Sequence, residues 1–105
     1  MKKAKTISDS EIFFYFLNEN KYTIIYGRKK LAVNKKLTLE ILGQLLLHFS
    51  EKEISIGARG DKPPNNSLGQ WIKSKIRINL ASYVAPILVK EGYAEVIDTH
   101  TIRIL

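Results

Sequence analysis

The closing stretch ILVKEGYAEVIDTHTIRIL, residues 87–105, narrows the fold most. Ile87 and Leu88 end a helical apolar pattern, and Gly92 follows as a stop that tolerates left-handed backbone. Tyr93, Ala94, Glu95, Val96 and Ile97 then form one short β-prone run and Thr101, Ile102, Arg103, Ile104 and Leu105 another, joined through Asp98, Thr99 and His100. A helix running into a small hairpin is the expected end of this chain.

The pattern upstream supplies more helices. Asn79 is a plausible cap for a helix over 80–90, in which Leu80, Tyr83, Val84, Ile87 and Leu88 share a side. Pro86 should kink that helix or break it after Ala85. Ser67 can cap a helix with Leu68, Trp71, Ile72 and Ile76 inward and a basic open face, running on as far as Arg77. Thr38 precedes Leu39, Ile41, Leu42, Leu45, Leu46 and Phe49 at helical spacing, which predicts a helix over about 39–50 with Leu47 as an outlier. Residues 53–57 alternate as one strand, and 58–66 are rich in helix and strand breakers. Nearer the start, Ser8 and Glu11 have the spacing of a capping box, so a helix over about 9–18 is expected, bearing Ile12, Phe13, Phe16 and Leu17. Tyr22, Thr23, Ile24, Ile25 and Tyr26, then Leu31, Ala32 and Val33, flank Gly27, Arg28, Lys29 and Lys30 as a basic-tipped hairpin.

Charge bears on partners. The chain has 105 residues, 17 Lys plus Arg and 10 Asp plus Glu, a net charge of +7. Nine of the basic and three of the acidic residues fall within 1–37. Such an excess favours a polyanion, because phosphate neutralisation releases counterions; solubility alone is the plainer explanation. Cysteine is absent, which excludes disulfides and thiolate metal sites and suits a cytoplasmic address. The apolar run 12–17 is too short for a signal-peptide core or a membrane span.

From residue 38 the expected order is helix, strand, helix, helix, strand, strand. With LVKEGYAEV as helix end, glycine stop and first hairpin strand, this order resembles the winged helix-turn-helix family of DNA-binding domains. The implied fold class is α+β, a winged helix over 38–105 with an N-terminal helix and β-hairpin extension over 1–37. The resemblance implies that the third helix, 79–91, enters the major groove with Asn79, Ala81, Ser82 and Ala85 outermost, and that Asn79 and Ser82 bond bases or phosphates. It places Lys73, Lys75 and Arg77 on the second helix and turn, and Thr99, His100 and Arg103 on the wing. Tyr83 lies at the edge of the buried face, where either packing or a phosphate would suit its hydroxyl. Arg59 and Lys62 present charge beside the second helix, while Arg28, Lys29, Lys30, Lys35 and Lys36 flank the DNA. The N-terminal helix either packs back on its own domain or pairs two copies as a homodimer, which suits palindromic sites.

Enzymatic chemistry is not expected. There is no phosphate loop, no His-Glu-x-x-His pair and no thiol nucleophile, and His48 and His100 read as a helix packing residue and a turn residue. Trp71 has core spacing rather than the setting of a stacking platform. The Arg59-Gly60-Asp61 tripeptide and the Asn65-Asn66-Ser67 glycosylation pattern are short matches with nothing extracellular beside them. The leading expectation is a cytoplasmic transcriptional regulator that binds double-stranded DNA without cofactor, metal or small-molecule substrate. The alternative is a protein-interaction module in a replication, plasmid or phage assembly, motivated by the apolar Ala81, Ala85 and Val89 face of the third helix. A membrane-surface role rests only on the lysine-rich start.

Overall fold

A computed structural model describes residues 1–58 and 62–105. Its elements run β1 (Lys2–Lys5), β2 (Ile12–Asn18), β3 (Lys21–Tyr26), β4 (Ala32–Thr38), α1 (Leu39–His48), β5 (Glu53–Ser55), α2 (Leu68–Ile76), α3 (Ala81–Lys90), β6 (Ala94–Asp98) and β7 (Thr101–Ile104). The first four strands make an antiparallel meander in the order β1-β2-β3-β4, and the last three a second antiparallel sheet in the order β5-β7-β6.

This corrects the expected fold class. Among the described residues there are seven strands in two sheets and three helices, and a four-stranded sheet leads the chain, which is not the layout of a winged helix with a helical extension. The expected helix over 9–18 is not formed; Ile12–Asn18 is β2. Six consecutive apolar residues, three of them Phe and one Tyr, would leave a helix apolar all round. As a strand they sort by period two, with Phe13 and Tyr15 at 0% and 1% exposure and Ile12 and Phe14 outward. The capping-box residues make a turn instead. Thr6 holds it, its hydroxyl oxygen accepting from the Glu11 N–H at 2.9 Å and its own N–H donating to the Glu11 carbonyl at 2.9 Å. Nor is the hairpin around Gly27 an appendage. It forms β3 and β4, and β4 reaches Thr38.

Thr38 joins the layers without a linker. It ends β4 opposite Lys21, and its side chain caps α1 by accepting from the Ile41 N–H at 3.1 Å. One buried cluster then runs through both halves of the chain, from Phe13, Tyr15, Ile24 and Leu37 to Leu45, Ile72, Leu88 and Ile104. The most enclosed element is α3, whose Ala81, Val84, Ala85, Pro86, Ile87 and Leu88 are all buried. Its helix is continuous through Pro86, so the expected break after Ala85 does not occur. Packing on several sides outweighs the loss of one hydrogen bond to the Ser82 carbonyl.

Two helical glycines separate packing from propensity. At Gly69 a Cβ would run into the Gly57 carbonyl oxygen and the Asn79 amide, because the first turn of α2 is laid directly on residues 56–57, with the Gly69 N–H donating to the Ile56 carbonyl at 2.9 Å. At Gly43 in α1 a Cβ would meet nothing within 4 Å. Urea unfolding should therefore show Gly43→Ala more stable than wild type by about 0.5–1 kcal/mol. The same exchange at Gly69 should cost about 1–3 kcal/mol, the sign reversed by overpacking.

Candidate nucleic-acid interface

The β3–β4 ladder carries an irregularity at its basic end. Tyr22 pairs with Leu37 and Ile24 with Asn34, so Thr23 alone stands opposite both Lys35 and Lys36. The Asn34 side-chain oxygen accepts from the Lys36 N–H at 2.9 Å and holds this bulge. A bulge of this kind breaks strict alternation and re-aims side chains, so two successive lysines reach the same hollow. The end of α2 arrives beside them. Arg77 caps that helix in the left-handed conformation, φ 68°, with its N–H donating to the Lys73 carbonyl at 2.9 Å.

Together these elements form an open concavity of about 430 Å³. Lys21, Lys35, Lys36, Lys75 and Arg77 line it, over a floor of Thr38, Ile41 and Ile76, and no lining residue is acidic. Among the described residues, Lys21, Lys35, Lys36 and Arg77 make no ion pair. The Lys75 ammonium sits 5.2 Å from the centre of the Trp71 ring. Trp71 itself is half-buried against the core, 6.4 Å from the Phe49 ring. Five cations around one hollow repel one another, and a bound polyanion relieves that repulsion.

Comparison with protein-family models, curated proteins and solved structures finds no match. The reading of this surface therefore rests on its own geometry.

Of the residues expected to contact or flank DNA, Lys35, Lys36, Lys75 and Arg77 join the concavity, whereas the others lie elsewhere. Lys62 and Lys73 border a separate hollow with Pro63, Asn65, Gln70 and Ser74. Arg59 lies outside the described residues, as does the Arg59-Gly60-Asp61 tripeptide. Asn79 is committed to the fold, its amide donating to the Gly57 carbonyl at 2.9 Å and its side-chain oxygen accepting from the Ala81 N–H at 3.1 Å. Ser82 is half-buried in a cavity of about 470 Å³ that Thr99 and His100 also line. Arg103 pairs with Glu95 at 3.5 Å on the exposed face of the β6–β7 hairpin. Arg28, Lys29 and Lys30 occupy the β3–β4 turn, at the opposite end of that hairpin from Lys21 and Thr38.

The third-helix expectation is corrected by burial. Ala81 and Ala85, placed outermost on the sequence, are 0% and 1% exposed, and Ala4 and Ile7 from the N-terminal segment pack beside Pro86 and Val89. The N-terminal helix expected to pack back or to pair two copies is not formed, its apolar residues lying in β2. Lys21 is the lining cation that the sequence reading did not single out, and the expected flanking residues Lys35 and Lys36 meet it through the bulge. The sequence signal for them was the polar triplet Asn34-Lys35-Lys36 interrupting a β-prone run, a spacing that fits a bulge.

Two reciprocal hydrogen bonds lock α3 under the first sheet. The Tyr15 hydroxyl of β2 donates to Glu91 at 3.0 Å, and the Tyr83 hydroxyl of α3 donates to Glu11 at 2.7 Å. Each carboxylate also has a cation, Lys2 at 2.6 Å from Glu91 and Arg28 at 3.5 Å from Glu11. Tyr83 is further held by rings of Tyr26 and Phe13 at 4.5 and 5.1 Å. Burial, and then the hydrogen bond to its carboxylate, push both the Tyr15 and Tyr83 hydroxyls well above the ordinary tyrosine range, so both stay protonated donors. The Lys2 hydrogen bond, helped by Tyr15, holds the Glu91 carboxyl below its ordinary value of 4.5. A carboxyl depressed in the folded state stabilises the fold above its unfolded pKa and loses that contribution as pH falls through the depressed value. Thermal melts from neutral to acidic pH should show a fall in Tm below about pH 4.5 that is shallower in Glu91→Gln, whose Tm at neutral pH should be the lower of the two.

Proposed function

We propose that the protein binds nucleic acid through the phosphate backbone, with duplex DNA the first partner to test. The observation that carries this reading is the concavity in which Lys21, Lys35, Lys36, Lys75 and Arg77 converge with no carboxylate among its lining. Lysine acts there as a point charge and Arg77 as a fork able to bond one phosphate twice. Such contacts fix position along a backbone and carry no base sequence, so binding is expected to be weakly selective among duplexes. The apolar face that motivated the interaction-module alternative is packed against the N-terminal segment, which leaves the cationic surface as the better supported of the two. A chain without cysteine needs no oxidising compartment, and a cytoplasmic setting accords with this role. Among the described residues no helix is long and apolar enough to cross a membrane.

Titration of a labelled duplex across several salt concentrations tests the proposal. If all five cations meet phosphates, log K should fall against log salt with a slope of about −4 to −5. Lys75→Glu with Arg77→Glu should reduce that slope by about 2 and weaken binding at least tenfold at low salt. Lys29→Glu with Lys30→Glu, at the far end of the hairpin, should do much less. Absence of wild-type binding at low salt, or equal binding by the Lys75 and Arg77 variant, would sink the reading.

A further inference from the structure

On the outward face of the four-stranded sheet Ile12, Phe14 and Val33 stand exposed, Phe16 and Ile25 are half-buried, and Thr23 is buried. The alternation that sends Phe13 and Tyr15 inward puts Ile12, Phe14 and Phe16 on the other side of β2. Across the ladder Lys5 pairs with Ile12, Lys3 with Phe14, Phe14 with Ile25 and Ile25 with Val33. Ile12, Phe14 and Val33 are 45%, 38% and 58% exposed. Two aromatic side chains thus stand two residues apart in an apolar stripe with Lys3 and Lys5 along its β1 border. On the other side Phe16 pairs with Thr23, the residue that faces the Lys35–Lys36 bulge.

Charge decides among occupants. The four strands contain Lys2, Lys3, Lys5, Lys21, Lys35 and Lys36 and no acidic residue. A second copy of the same face would bring lysines onto lysines, so self-docking is disfavoured. An anionic partner with flat apolar groups matches both the lysines and the rings. Bases inside a duplex are already stacked on one another, whereas those of a single strand are free to stack on a phenylalanine.

We infer that this sheet face takes single-stranded nucleic acid, with bases against Phe14 and Phe16 and phosphates against Lys3, Lys5 and the Lys35–Lys36 bulge. The inference rests on the phosphate-binding reading, and Lys35 and Lys36, opposite Thr23 in this sheet, also line the cationic concavity. The concavity holds backbone of either kind, and the sheet face adds a preference for unpaired strands.

The test uses the intact chain with a labelled oligothymidylate and a duplex of equal length, read by fluorescence anisotropy. Phe14→Ala should weaken oligothymidylate binding by roughly 5- to 150-fold, as expected for one lost stack, and change duplex affinity by less than about twofold. Phe14→Trp should restore single-strand binding, with its fluorescence quenched by the oligonucleotide, and circular dichroism should show both variants folded. Unchanged oligothymidylate affinity in Phe14→Ala, or an equal loss on the duplex, overturns the inference and leaves the concavity reading to the Lys75 and Arg77 variant. If that charge-reversed variant still binds both probes while Phe14→Ala loses the single strand, the sheet-face inference stands and the concavity reading falls. Wild-type self-association in light scattering that Phe14→Ala abolishes, with oligothymidylate binding intact, would assign the face to a second copy and overturn the inference.

Discussion

Helix α3 is the element on which the arrangement depends, and the two crossed tyrosine–glutamate bonds define how it is held. Tyr15 reaches from the sheet to Glu91, and Tyr83 reaches from the helix to Glu11. Each carboxylate receives a neutral donor and a nearby cation, so a charge-assisted hydrogen bond survives where bare charge would be costly. The aromatic bodies of the same tyrosines fill space between the layers, with Phe13 and Tyr83 meeting nearly edge to face at 5.1 Å. The helix is given over to the core rather than to a surface for a partner.

The cations of the concavity gather at the junction between the first sheet and the helices. Thr38 sets this junction by ending a strand and capping a helix with the same residue, while the Leu39 N–H donates to the Asn20 carbonyl at 2.9 Å across the β2–β3 turn. No linker separates β4 from α1, and Ile76 of α2 shares the concavity with Thr38 and Ile41, which sets the lysines of β4 beside Lys75 and Arg77. Preorganised charge of this sort binds without first having to be gathered.

The helical part of the fold was legible because each helix carried a periodic apolar face, and two of the three a polar cap; α3 has Leu80 at its cap position, with no side-chain cap bond, rather than the expected Asn79. Thr38 and Ser67 cap α1 and α2 as their positions suggest, and Leu47, the outlier from the helical spacing, is 83% exposed. The first sheet was legible only in its β3–β4 hairpin. Ser8 and Glu11 satisfied a helix-start pattern that Thr6 turns into a tight loop, and the Ile12 to Leu17 run fits either period until a partner strand selects one. In β1 three lysines surround one alanine, a composition that shows nothing of a strand, and its role as an edge exists only through pairing with β2. The site shares this limit. Lys75 and Arg77 were readable as a basic helix end, but their meeting with Lys21, Lys35 and Lys36 is a product of that sheet.

Strand order also bears on the entropic cost of assembly. The meander β1-β2-β3-β4 joins neighbours through short turns, so its contacts close small loops. In the second sheet β5 has β7 as its one strand neighbour, and Ile54 must find Ile102 across both remaining helices. Closure of that long loop carries the greater entropic cost and is the slower event. Loop-closure entropy therefore favours forming the four-stranded sheet before β5 and β7 meet.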